Sequence, residues 1–105
     1  MKVLLVAEWT NPKEPERNRA RYRLMGEWRP YHEKLVKEKG IKMKGSGWSN
    51  GSGQMINTAE FETFEDFEKL MTDLEWRKHR TKWSYTVDDL RTRIMFESFQ
   101  MPPKT

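Results

Sequence analysis

Cysteine is absent from this 105-residue chain. That removes disulfide frameworks, thiol nucleophiles and thiolate metal sites. Histidine is scarce, with two in all, and neither sits in a ligand pattern. His32 and Glu33 are adjacent, so a helix points them to different sides. Glu75 and His79 are four apart, but two ligands do not make a metal site. Long apolar runs are missing as well. Val3–Ala7 is far too short for a membrane span or a secretion signal, and with no cysteine the expectation is a cytoplasmic protein. Glycine-rich phosphate cradles are also lacking, because Gly45-x-Gly47 and Gly51-x-Gly53 flank a turn signal instead of opening a helix. Apolar residues make up only 35% of the chain, against 34% charged. So thin a core in one small domain, residues 1–105, points to stability gained by association.

Charge is present but segregated. The net value is +4. Residues 13–44 hold eleven Lys/Arg against five Glu, and residues 54–75 hold seven Asp/Glu against one Lys. Such blocks complement helix ends better than they form a phosphate-binding stripe. Acids open each helical segment and bases close it. Arg17, Arg19, Arg21 and Arg23 spread around a helix at alternate positions, which predicts a solvated face. An RNA-binding sheet of this size carries a Lys/Arg-Gly-aromatic run on a central strand. Gln54–Phe61 carries Glu60 and no such run, which argues against nucleic acid as a partner, and an affinity insensitive to salt would remove it.

The order of elements is the strongest signal. An apolar strand over Lys2–Trp9 lacks polar alternation, so it is covered on both faces and central. A basic amphipathic helix follows over about Glu16–Lys39, with Trp28, Tyr31, His32, Leu35 and Val36 on one stripe. Pro30 removes a donor and crowds the Gly26 carbonyl, which predicts a kink or break there. Gly40 provides a left-handed cap. A hairpin over Ile41–Glu62 turns at Asn50-Gly51, and Gly45 and Gly47 predict a bulge or the close approach of another backbone. A second helix opens at Thr63, with a restart signal at Thr72 or Asp73. Asp88-Asp89 predict a turn before a last strand over Arg91–Phe99. The tail Met101-Pro102-Pro103 cannot continue a ladder. The pattern is an α+β, ferredoxin-like βαββαβ fold with a four-stranded antiparallel sheet and both helices on one face. Leu4 and Val6 on one side, and Val3, Leu5 and Ala7 on the other, cannot all face the helices. The second face therefore needs a second copy of the chain.

Gly40-Ile41, Gly47-Trp48, Phe61-Glu62 and Asp73-Leu74-Glu75-Trp76-Arg77, in that element order, resemble the dimeric α+β barrel superfamily, most closely its NIPSNAP-type branch, with the antibiotic-biosynthesis monooxygenases alongside. The resemblance implies a homodimer of face-to-face sheets, with a small ligand between each sheet and its own helices. It also implies chemistry of the cofactor-independent oxygenase or isomerase kind. Haem-degrading relatives carry an Asn on strand one, a Trp ending strand three and a His on helix two. Here Phe61 replaces the Trp, Asn11 lies beyond the strand, and His79 is only near the expected place, so haem degradation is not implied.

Five tryptophans supply the material for a site. Trp9, Trp28, Tyr31, Trp48, Phe61 and Trp76 are the candidate walls for a small aromatic ligand. His32 is the candidate base, and Asn11 a candidate donor to a developing anion. No cofactor and no metal are expected. Against this stands a plainer reading, since histidines and tryptophans on apolar helix faces are ordinarily core residues. A non-catalytic dimeric module, in which Trp28→Phe and His32→Gln change only the melting temperature, remains the alternative.

Overall fold

A computed structural model of the chain describes residues 1–99; the Pro102-Pro103 tail lies outside them. The elements are β1 (Val3–Thr10), α1 (Pro15–Glu38), β2 (Met43–Ser49), β3 (Gln54–Phe61), α2 (Phe64–Met71), α3 (Leu74–Ser84) and β4 (Asp88–Phe96). The sheet is antiparallel in the order β2-β3-β1-β4. The unalternating strand is thus central, as its composition requires.

Register assigns the two faces. Val3, Leu5, Ala7 and Trp9 lie opposite Phe61, Ala59, Asn57 and Met55, and this is the face beneath the helices. The main core sits there, around Val3, Leu5, Leu35, Ile41, Phe61, Phe67 and Leu70. Leu4, Val6 and Glu8 share the other face with Glu60, Thr58 and Ile56.

Local chemistry explains the helix limits. Pro15 occupies the first turn of α1, where its missing N–H costs nothing. Gly40 closes the helix at φ +62°, and the Ile41 N–H donates to the Val36 carbonyl. Thr63 Oγ1 accepts from the Asp66 N–H at 3.1 Å and caps α2. Asp73 Oδ2 accepts from the Trp76 N–H at 2.8 Å and starts α3, which is the restart the sequence signalled.

Four expectations need correction. Pro30 does not break α1, which runs on as one helix through it; one lost hydrogen bond is outweighed where Trp28, Tyr31, Leu35 and Val36 pack on the core. Asp88-Asp89 do not form a separate turn. They open β4, with Asp89 at φ +53° where the register against β1 shifts between Glu8 and Thr10, so the last strand begins and ends about three residues early. Gly45 and Gly47 sit in an unshifted ladder. What approaches Gly47 is a side chain: a Cβ there would lie 2.9 Å from Asn57 Oδ1. The arginine run on α1 is not wholly solvated either. Arg17 Nη1 reaches Asp88 Oδ1 at 2.9 Å, and Arg21 is buried with Nε and Nη2 on Asn18 Oδ1.

Candidate functional site

Between the helices and the sheet lies a cavity of about 470 Å³. Its floor is Leu5, Ala7 and Trp9 of β1, all buried. One wall is the face of α1 that carries Trp28, Arg29 and His32. The opposite wall is the face of α3 that carries Trp76, His79, Arg80 and Trp83. The α3 residues recur at three- and four-residue intervals, so they form a single stripe. Exposed Arg29, Gly47 and Asn57 mark the mouth.

The rings form two groups. Trp28 is the hub of one, with ring centroids 5.0 Å from His32, 5.4 Å from His79 and 5.9 Å from Trp76. In the other, Trp9 and Trp83 meet edge to face at 4.8 Å. Both arrangements are favourable for aromatic quadrupoles.

Three buried polar atoms in these walls lack a hydrogen-bond partner among the described residues: His32 Nδ1, His79 Nδ1 and Trp76 Nε1. Each such atom costs about 1–3 kcal/mol. Three around one cavity are unusual for a purely structural core, where buried polar groups are ordinarily paired. Burial lowers the His32 pKa from its ordinary 6.5, while the charge of Glu33 pulls weakly the other way. Folding therefore favours the neutral imidazole, the form that accepts a proton.

The sign of this shift makes a prediction. A depressed native pKa stabilises the fold fully above pH 6.5, and the contribution is lost as pH falls through the lowered native value. Glutamine cannot protonate. The melting temperatures of wild type and His32→Gln should therefore converge between about pH 7.5 and about pH 5; a constant gap would show that His32 does not titrate differently on folding.

The structure brings together Trp9, Trp28, His32 and Trp76 from the sequence set, with His79 beside them. It separates four others from the cavity. Trp48 is 69% exposed, and its register opposite Ile56 puts it on the far face of the sheet. Phe61 is wholly buried in the main core, against Phe67. Tyr31 packs on Trp28 but turns its hydroxyl to Asp73 Oδ2 at 2.6 Å. Asn11 spends Oδ1 on the Trp9 indole N–H at 2.9 Å. Its place at the mouth is taken by Asn57, whose amide makes no hydrogen bond among the described residues. Two signals were available for the missed residues. Asn57 is a polar residue on the apolar side of β3, and Trp83 lies seven positions after Trp76.

No family model matches the chain, and no curated protein is detectably similar to it in sequence. Solved structures are similar in fold. SnoaB, a cofactor-independent oxygenase from Streptomyces nogalater, superposes with a TM-score of 0.65 at 10% identity over 97% of this chain and 98% of its own. A NIPSNAP family protein from Agrobacterium tumefaciens gives 0.55 at 14% identity over 99% and 100%. A dimeric ferredoxin-like protein of unknown function from Bacteroides fragilis gives 0.59 at 14% identity over 90% and 94%. The chain thus has the ferredoxin-like α+β fold of these proteins, over nearly its whole length.

Proposed function

We propose that this chain is a homodimeric α+β barrel protein that binds a planar aromatic molecule between its helices and its sheet, with His32 as a base for cofactor-independent oxygenation. The observation that carries the reading is the cavity itself, walled by four indoles and holding unpaired imidazole nitrogens. Stacked rings exclude water and hold a flat substrate. A neutral His32 removes the proton of a phenol, and the Asn57 amide at the mouth donates to the oxyanion. The resulting phenolate is electron-rich enough to react with dioxygen at a ring carbon. A new C–O bond forms, the O–O bond breaks, and quinone and water leave. The fold shared with SnoaB, described as a cofactor-independent oxygenase, supports the reaction class.

The dimer rests on the other face of the sheet. Ile56, Met95 and Trp48 are 39%, 52% and 69% exposed, and they lie on one side of a sheet whose helices all cover the opposite one. Burying such surface is worth about 25 cal/mol per Å² before association costs. The Bacteroides fragilis protein of the same fold, described as dimeric, supports a dimer. Nothing among the described residues is long and apolar enough to form a membrane-spanning helix.

Titration with 2-naphthol tests the site. Four of the five tryptophans line the cavity, so saturable quenching of indole fluorescence is expected, weakened at least about tenfold in Trp28→Ala, where the hub ring is lost. No saturable change in wild type would remove the reading and leave the non-catalytic dimeric module. Sedimentation at micromolar concentration should give a dimer; a well-folded monomer would remove the paired sheets.

A further inference from the structure

The cavity is one-sided in charge. Its ionisable wall residues are Arg29, His32, His79 and Arg80, and no Asp or Glu among the described residues lines it. Arg80 is the telling member. Its guanidinium carbon lies 5.7 Å from the ring centroids of both Trp76 and Trp83, so it is held between two indoles of the α3 wall. Its one hydrogen bond among the described residues runs from Nη2 to Thr92 Oγ1 of β4, at 2.9 Å. A guanidinium has five N–H donors, and the rest of this fork is unused.

Among the described residues two arginines are paired with acids, whereas buried Arg21 turns its fork to Asn18 Oδ1. Arg17 donates to Asp88 and Glu14, and Arg93 pairs with Glu8 at 3.0 Å. Arg80 has no carboxylate partner among the described residues, although it is partly withdrawn from water and burial disfavours its charge. A half-buried cation without a counter-charge is costly, and the cost is recovered when an anion arrives. Thr92 and the two indoles hold the fork in place, so little side-chain entropy remains to be lost on binding.

We infer that the ligand of this cavity is an aromatic carboxylate, its ring between the tryptophans and its carboxylate on the guanidinium of Arg80. The inference rests on the aromatic-ligand reading above and adds the charge of the ligand. Carboxylate matches the planar fork in geometry, and a charge-assisted pair is stronger than a neutral hydrogen bond. The exposed Arg29 at the mouth adds a long-range attraction without a fixed geometry.

Two probes of equal size separate the ideas: 2-naphthoate and the neutral 2-naphthamide, each titrated by indole fluorescence against the full chain. Naphthoate is expected to bind wild type at least about tenfold more tightly than the amide. In Arg80→Gln that preference should fall to about twofold or less, with the affinity for naphthamide unchanged. Arg80→Lys, which keeps the charge but not the fork, should fall between the two. Equal binding of both probes to wild type would overturn the inference and leave the aromatic cavity standing. Persistence of the full preference in Arg80→Gln would overturn the role of Arg80. Binding of neither probe would remove both this inference and the reading beneath it. The wild-type comparison decides the matter even if a variant fails to fold.

Discussion

Asp73→Ala is expected to destabilise the protein by about 2–4 kcal/mol, because one carboxylate caps a helix, accepts from a phenol and pairs with a cation. Asp73 Oδ2 accepts from the Tyr31 hydroxyl of α1 at 2.6 Å and from the Trp76 N–H of α3 at 2.8 Å. Oδ1 lies 3.6 Å from Lys39 Nζ, and the side chain is only 16% exposed. The residue therefore clamps together the two helices that wall the cavity. At about 4–8 °C per kcal/mol for a domain near this size, thermal melting should register the loss plainly. Asp73→Asn keeps the cap and should lose about half as much; Tyr31→Phe should resemble it.

The clamp has its own pH signature. Burial alone raises the Asp73 pKa, but the Tyr31 hydroxyl, the Trp76 N–H and Lys39 together outweigh it and hold the carboxyl below its ordinary 3.8. Its stabilisation is complete above that value and is lost as pH falls through the lowered native one. Donation to Asp73, then burial and the carboxylate's charge, push the Tyr31 phenol up from 10 to about 12. Stability is thus also lost as pH rises through that range, because the unfolded phenol ionises first. A double-mutant cycle on Tyr31→Phe and Asp73→Asn should give a coupling of about 1–3 kcal/mol. Strict additivity would mean that the short contact between them is idle.

Phe61→Ala is the second large effect. Phe61 has no exposed surface, stands edge to face with Phe67 at 5.6 Å, and belongs to the cluster with Val3, Leu5 and Leu70. Removing a buried phenyl ring costs about 3–5 kcal/mol, a large share of the 5–15 kcal/mol that holds a typical domain together. A fall of the urea midpoint by a third or more is expected, whereas Phe61→Leu should cost less than about 2 kcal/mol. Neither change should alter naphthoate affinity in whatever fraction remains folded. An unchanged midpoint in Phe61→Ala would mean that the core tolerates the cavity by collapsing. A selective loss of affinity in Phe61→Leu would return Phe61 to the ligand site.

The residues of this chain differ in how far their spacing announces their work. The shared position of Trp28 and His32 on one face of α1 was legible because four residues on a helix place two side chains on one stripe, whatever lies opposite. That Trp48 and Phe61 stand away from the cavity was not legible, because residue type says nothing of which face of a strand is roofed. Trp48 is set by its register opposite Ile56, on the side away from the helices. Phe61 is set by pairing with Val3 at the end of the sheet that the core fills. Asn11 was read as a donor because it follows the strand, but it lies outside the cavity, with its side chain tied to the Trp9 indole two residues away.

Sequence by itself determined the element order, the central place of β1, the caps at Gly40, Thr63 and Asp73, and the apolar stripe of α1. All of these follow from periodicities and backbone preferences that act over a few residues. Only the tertiary structure decided that α1 and α3 stand apart enough to leave a cavity, that Asn57, Arg80 and Trp83 join its walls, and that Arg80 goes without a carboxylate among the described residues. Those facts depend on which distant segments meet, and on which charges find partners when they do. Short-range pattern carries no record of either.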